Sequence, residues 1–188
     1  MEFFNQINNI SPISKEQWSK LESSLKVTQL ARGELLLEAD DIASSFAFVI
    51  SGCFKLYYLA HSSKKSIQSF KFEGELVAGY ASLLTNTPSN FSIEALEDSV
   101  VALLPFKKMT ELYDEDPSWE RLGRKVAEQH FLNKEAREAS FLMLDAKTRY
   151  LNLIKERPTI IKRIPQCHIA SFLGITASAF NRLVKGLK

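Results

Sequence analysis

The spacing of apolar residues changes near Pro105, and this change limits the folds that the chain can adopt. Across residues 27–104, short runs rich in Val, Ile, Phe, Tyr and Leu alternate with turn-forming residues. The runs at 46–50 and 54–59 have the length of strands, and residues 67–72 alternate between apolar and polar positions. Regular short strands separated by turns predict an all-β barrel, roll or sandwich in this part of the chain.

Helical spacing dominates the rest of the chain. A short helix is predicted at 14–26, where Ser14 and Gln17 have the spacing of a capping box. Residues 117–140 begin with proline, contain no other proline and have a single glycine, which predicts a helix about 36 Å long. Further helices are expected at 144–156 and after residue 165, with an extended segment at 158–165.

The apolar stripe of the long helix has to be buried somewhere. It packs either on the β-region of its own chain or against the same helix of a second copy. The second arrangement predicts a homodimer and makes the helix a rod between two domains. The stripe that would form this seam consists of Trp119, Leu122, Val126, His130 and Phe131.

Basic residues are concentrated in the last part of the chain. Residues 147–188 contain nine Lys or Arg and one acid, Glu156, so this tail carries +8. Because the whole chain carries +2, the preceding residues carry −6. A small basic module joined to an acidic body indicates that the module meets a polyanion. The alternative is a basic surface that serves solubility alone.

The tail also has the pattern of a helix-turn-helix. In the first predicted helix Ile169, Ala170 and Leu173 face inward, and Ala170 is small enough for a second helix to cross closely. Gly174 provides the left-handed conformation of a tight turn, and Thr176 is placed to cap the next helix. The exposed face of that second helix is predicted to read duplex DNA, with cations placed for phosphates. Its residues are Thr176, Ala177, Ser178, Asn181, Arg182 and Lys185.

In the order and spacing of four segments the chain resembles the Crp/Fnr family of regulators. These segments are residues 33–41, 46–56, 142–151 and 164–187. The resemblance implies an α+β protein with an N-terminal double-stranded β-helix, a jelly-roll-like β-roll of the cyclic-nucleotide-binding type. It also implies a long dimerisation helix and a C-terminal helix-turn-helix of winged-helix type, here with a reduced wing.

The implied units are a sensor domain (1–116), a connecting helix (117–141) and a DNA-binding domain (142–188). The implied function is DNA-binding transcription regulation, and the implied location is the cytoplasm. At the start of the recognition helix, where better-known members of the family carry Arg and Glu, this chain has Ala177 and Ser178. The preferred DNA sequence therefore does not carry over from those relatives.

The sequence also departs from the family at its phosphate cassette. The resemblance implies a cassette that opens with Gly-Glu and later places Arg before Ser or Thr. Here Tyr80 follows Gly79, and Asn90 and Phe91 replace the later pair. A buried phosphate without its Arg loses about 3–5 kcal/mol. We therefore expect a small-molecule effector other than a cyclic nucleotide, in a pocket formed by Gly79, Tyr80, Ala81, Ser82, Asn90 and Phe91.

Other functions find little support in the composition. The chain has two cysteines, Cys53 and Cys167, and His61 is the one histidine of the β-region, so no metal site or cofactor is expected. A cupin-like enzyme would need several such ligands on neighbouring strands. No apolar run has the length of a membrane span, and the N-terminus lacks a secretory pattern. A second alternative is a ligand-binding or protein-interaction module whose helix-turn-helix no longer reads DNA.

Overall fold

The computed structural model describes residues 2–59 and 65–187 of the chain. Two short helices precede the β-region, and a third helix interrupts it. The N-terminal helices are α1 (Glu2–Ile10) and α2 (Lys15–Glu22); the β-region contains β1 (Lys26–Leu30), β2 (Leu35–Leu37), β3 (Ser45–Ser51), β4 (Phe54–Leu59), β5 (Lys65–Lys71), β6 (Leu76–Val77), α3 (Tyr80–Thr85), β7 (Ser92–Ala95) and β8 (Ser99–Pro105). The following elements are α4 (Phe106–Glu115), α5 (Pro117–Met143), α6 (Ala146–Glu156), α7 (Ile160–Arg163), α8 (Gln166–Phe172) and α9 (Ala177–Lys185).

The strands form a β-roll of two four-stranded antiparallel sheets, which confirms the predicted fold class. The strand orders are β1-β8-β3-β6 and β2-β7-β4-β5, so sequence neighbours often lie in opposite sheets. Alternate side chains of β3, β4 and β8, such as Val49, Phe54 and Val101, fill the space between the sheets and are fully buried. Gly52 turns the chain between β3 and β4 with a φ of 94°. A Cβ there would lie 2.1 Å from the Ser99 hydroxyl.

The N-terminal helices and α4 pack beside the roll around the first turns of α5. Ser14 and Gln17 form the predicted capping box of α2. Asp116 caps α5 by accepting a hydrogen bond from the backbone N–H of Ser118, and Pro117 occupies the first helical position. This second core fixes the N-terminal half of α5 against its own chain.

The prediction for the stripe of α5 was therefore wrong in its first half. Trp119 and Leu122 are 1% and 4% exposed, and Val126 packs against the same core. Those side chains face their own protomer, so they are not available to a second copy. The exposed apolar side chains lie further along α5, and Phe131 at 64% exposure is the one predicted seam residue among them.

The C-terminal residues 142–187 contain helices only, in keeping with a reduced wing. The segment at 158–165, expected to be extended, contains the single helical turn α7. Ile160 and Ile164 explain the difference, because both are buried in one core and lie four residues apart, which is a helical spacing.

The C-terminal helices pack on the outer face of the second sheet and share a core with it. Cys53 and Tyr57 of the roll belong to the same buried cluster as Tyr150, Ile169 and Phe180 of the tail. Burial in this cluster raises the pKa of the Cys53 thiol to about 12. The roll and the tail are thus one packed body.

Ion pairs border this shared core. Arg163 donates hydrogen bonds to both carboxylate oxygens of Glu73, at 2.7 and 2.8 Å, and it also contacts the carboxylate of Glu97. Arg157 pairs with Glu75 at 2.7 Å. The hydrogen bonds from Arg163, with the backbone N–H of Gly52, lower the pKa of Glu73 from its ordinary 4.5 to about 2.

The lowered pKa of Glu73 predicts an acid-dependent loss of stability. A carboxylate whose pKa is depressed by folding stabilises the fold above its unfolded pKa, and this contribution is lost as the pH falls from about 4.5 through about 2. In urea unfolding, wild type should be more stable than Glu73→Gln at neutral pH, and the difference should shrink across that window. In an Arg163→Met background Glu73→Gln should have little effect. A difference independent of pH would contradict the assignment.

Candidate functional site

The helix-turn-helix has the geometry that its sequence predicts. Gly174 adopts a left-handed φ of 72°, and its N–H donates to the carbonyl of Ser171. A Cβ on Gly174 would lie 2.7 Å from the Phe141 ring, so a side chain there would be both strained and crowded. Thr176 caps α9, since its hydroxyl accepts a hydrogen bond from the backbone N–H of Ala179 at 3.2 Å.

One face of α9 is buried and the other is open to solvent. Phe180 is fully buried and its ring meets Tyr150 edge-on, with ring centroids 5.3 Å apart. Every residue predicted to read DNA is exposed on the opposite side: Thr176, Ala177, Ser178, Asn181, Arg182 and Lys185. The fold therefore brings the predicted interface together on one outward surface.

The basic tail is less available to a polyanion than its net charge suggested. Arg149 donates to the carbonyls of Leu144 and Leu173, and Arg157 and Arg163 pair with carboxylates of the roll. These three arginines hold the tail together and attach it to the roll. Among residues 147–187, the exposed lysines besides Lys185 on α9 are Lys147, Lys155 and Lys162.

A cavity of about 810 Å³ lies between the roll and α5. Five of the predicted pocket residues line it, namely Tyr80, Ala81, Ser82, Asn90 and Phe91. Gly79 is buried behind the wall, where a Cβ would lie 2.6 Å from the Leu37 side chain. The cavity is thus bordered by most of the residues that the sequence analysis predicted to form an effector pocket.

Part of the cavity wall was missed by the sequence interpretation. It comes from β5 and the middle of α5 and includes Lys71, Gln129, His130, Lys134 and Arg137. His130 was expected in the dimer seam, but its ring meets Tyr80 of α3 edge-on, with centroids 5.9 Å apart. His130 and Arg137 are seven residues apart, and this spacing could have indicated from the sequence that both lie on one face of α5.

Aromatic rings occupy the positions where the family cassette would be polar. Tyr80 also contacts Phe46, with ring centroids 5.8 Å apart, and Phe91 contacts Tyr58 at 5.7 Å. The two departures from the cassette therefore provide apolar walls.

Two serine hydroxyls in the 79–91 loop already have hydrogen-bond partners in the protein. Ser82 accepts a hydrogen bond from the N–H of Ala43 at 3.0 Å and donates to the carbonyl of Thr87 at 2.5 Å. Ser89 donates to the carbonyl of Phe91 at 2.8 Å. Asn90, which replaces the cassette arginine, is exposed and uncharged. This arrangement supplies no cationic partner for a phosphate at the loop.

Within residues 2–59 and 65–187, no group of three or more His, Cys, Asp or Glu side chains is arranged to hold a metal ion. His61 lies outside the described residues. None of the helices in the described part of the chain combines the length and apolar character needed to cross a bilayer.

Comparison with known proteins agrees with this architecture. Residues 27–116 match the family model of the cyclic nucleotide-binding domain. The anaerobic regulatory protein of Pasteurella multocida is 23% identical over 171 residues, which cover 85% of this chain and 62% of that protein. The chain therefore spans less than two thirds of that relative's length.

Two solved structures illustrate the shared fold. FixK2 from Bradyrhizobium japonicum has a TM-score of 0.74 at 18% identity, over 87% of this chain and 84% of that one. The c-di-GMP-responsive global regulator CLP of Xanthomonas campestris has a TM-score of 0.72 at 14% identity, over 93% and 91% of the two chains.

The hydrogen bonds of Ser82 predict that its hydroxyl is structural. Ser82→Ala leaves the partly buried N–H of Ala43 without its acceptor, which should lower the free energy of unfolding by about 1–2 kcal/mol. Urea unfolding measures the change, and Ser66→Ala, at an exposed position of β5, serves as the control. A loss no larger than that of the control would show that the loop does not depend on this hydroxyl.

Proposed function

We propose that this chain, which carries a cyclic nucleotide-binding domain and has the fold of the Crp/Fnr-type transcription regulators, binds duplex DNA as a homodimer. A small molecule other than a cyclic nucleotide controls it. Residues 1–116 act as the sensor, 117–141 connect and pair, and 142–188 contact DNA. The protein acts in the cytoplasm and has no catalytic activity.

The exposed face of α9 is the observation that carries the proposal. Asn181, Arg182 and Lys185 project together from a helix whose other face is anchored by Phe180. A guanidinium and an ammonium on the outer face of a recognition helix suit phosphates or guanine edges, and an amide suits adenine. The first residues of α9 are small, so the helix can approach the groove closely.

The dimer is proposed from the second half of α5. Leu132, Ala136, Ala139 and Met143 follow one another at intervals of four, three and four residues, and we call this set the seam stripe. Leu132 and Met143 are 55% and 81% exposed within the protomer. An apolar stripe at this spacing suits a coiled-coil partner, and the two alanines permit close approach of a second copy. Phe131 flanks the stripe.

A route from the cavity to the DNA-binding helices passes through Arg137. Arg137 is one of the residues that line the cavity, and its guanidinium donates hydrogen bonds of 3.1 Å to the carbonyls of Ile67 in β5 and Phe172 in α8. An effector that moves Arg137 would therefore shift α5 and α8 relative to the roll. In a dimer this changes the separation of two recognition helices, which have to lie about 34 Å apart to read adjacent major grooves.

A second candidate is a module that binds a ligand or protein and has lost DNA readout. The observation that favours it is the short Ala177 and Ser178 pair at the start of α9, where base contacts would be made. The salt dependence of duplex binding discriminates the two functions, because phosphate contacts release counterions.

Arg182→Ala tests the DNA-binding face. Loss of one phosphate or base contact should weaken duplex binding by about tenfold and, if the partner is a phosphate, reduce the salt slope by about one. Fluorescence anisotropy with a labelled duplex over a range of salt measures both quantities. Arg124→Ala, an exposed arginine on α5, is the matched control. Equal affinities of wild type and Arg182→Ala would remove Arg182 from the interface.

Ala136→Glu tests the dimer seam. The change places a charge at the centre of the seam stripe, facing its own copy, while the helix propensity stays high. Sedimentation velocity should show wild type at twice the 21.3 kDa chain mass and the variant at that mass itself. Val27→Glu, an exposed position on β1, should remain dimeric. A monomeric wild type, or a dimer unaffected by Ala136→Glu, would contradict the seam.

A further inference from the structure

The cavity between the roll and α5 has a basic lining. Lys71, Lys125, Lys134 and Arg137 border it, together with the imidazole of His130. Two carboxylates, Glu75 and Glu128, also border it. The balance of formal charges on the wall is therefore positive.

Both carboxylates already have partners that lie outside the wall. Glu75 pairs with Arg157 at 2.7 Å and accepts a hydrogen bond from the backbone N–H of Phe72. Glu128 pairs with Arg124, one turn earlier on α5. Glu75 still attracts the Lys71 ammonium and partly offsets the effect of burial on its pKa. Four cations against two carboxylates that are already paired leave a positive balance, which favours an anion.

None of the four cations has a carboxylate within ion-pair distance among the described residues. Arg137 donates hydrogen bonds to two backbone carbonyls, and burial lowers its pKa to about 10. Lys71, at the end of β5, forms no ion pair in the described part of the chain, and burial lowers its pKa as well. A partly buried ammonium without an ion pair is costly, and a bound anion offsets that cost.

Aromatic and aliphatic side chains form another part of the wall. The rings of Phe46 and Tyr80 are tilted against each other, Tyr58 meets Phe91 edge-on, and Leu76 and Val126 add aliphatic surface. Rings in such a cavity suit a flat or aromatic body.

We propose that the cavity binds an organic carboxylate whose apolar, flat body lies between the aromatic side chains and whose carboxylate pairs with Lys71. The site differs from a phosphate cassette, because its cation comes from β5 while the hydroxyls of Ser82 and Ser89 in the 79–91 loop already have hydrogen-bond partners in the protein. The contacts of Arg137 with Ile67 and Phe172 place the same wall next to α8. That such a ligand alters DNA binding rests on the proposed function, whereas its binding does not.

The test uses two probes of nearly equal shape, 1-naphthoate and its neutral amide, 1-naphthamide. Isothermal titration of the full chain should show naphthoate binding at least about tenfold more tightly, a ratio equal to about 1.4 kcal/mol. Lys71→Met should abolish this ratio and leave the affinity for naphthamide unchanged, and Lys71→Arg should retain it. Lys107→Met, an exposed lysine on α4 that does not line the cavity, should behave as wild type.

Several outcomes would overturn the proposal. These are failure of naphthoate to bind, equal affinity for the two probes, a Lys71→Met variant that keeps the preference, and tighter binding of cyclic AMP than of naphthoate. The experiment contains no DNA, so it separates this inference from the proposed function. Naphthoate binding with the predicted Lys71 dependence supports the inference even if no duplex is bound, and that second result counts against the proposed function alone.

Discussion

The contact between α8 and the open edge of the second sheet is the interaction on which the arrangement of this chain depends. Strand β5 is the last strand of its sheet and would otherwise present unpaired backbone groups to solvent. Ser171 of α8 accepts from the N–H of Ile67 and donates to the carbonyl of Lys65, while Arg137 donates to the carbonyl of Ile67. A helix of the helix-turn-helix thus covers the edge of the second sheet, and α9 is directed outward as a consequence.

This docking also determines how the basic residues are used. Arg157 and Arg163 neutralise carboxylates at the edge of the shared core, and Arg149 binds carbonyls at the ends of two helical segments. The composition alone suggests that these arginines would bind a polyanion. In the fold, the positive charges of Arg157 and Arg163 instead attach the tail to the acidic roll. For the proposed DNA contact this leaves the outer face of α9 and the exposed lysines of the tail.

Much of the fold could be predicted because its signals are local. The capping box at Ser14, the turn at Gly174 and the alternation in the β-region are each specified within a few residues. The surface that covers α5 could not be predicted in the same way. A stripe of apolar residues indicates that one face of the helix is buried, but it does not indicate which element or which chain covers that face. Trp119 and Leu122 are buried against other elements of their own chain, which the stripe alone does not specify. The cationic wall with Lys71 and Arg137 forms only where β5 and α5 come together in the fold.

We propose above all that two copies of the packed roll and tail present two α9 helices to duplex DNA. Selection of bound duplexes from a random pool by the wild-type chain, at low ionic strength, tests it most directly. The account predicts enrichment of a two-fold symmetric site with half-sites about one helical turn apart. Recovery of unrelated sequences, or of a single asymmetric half-site, would contradict it.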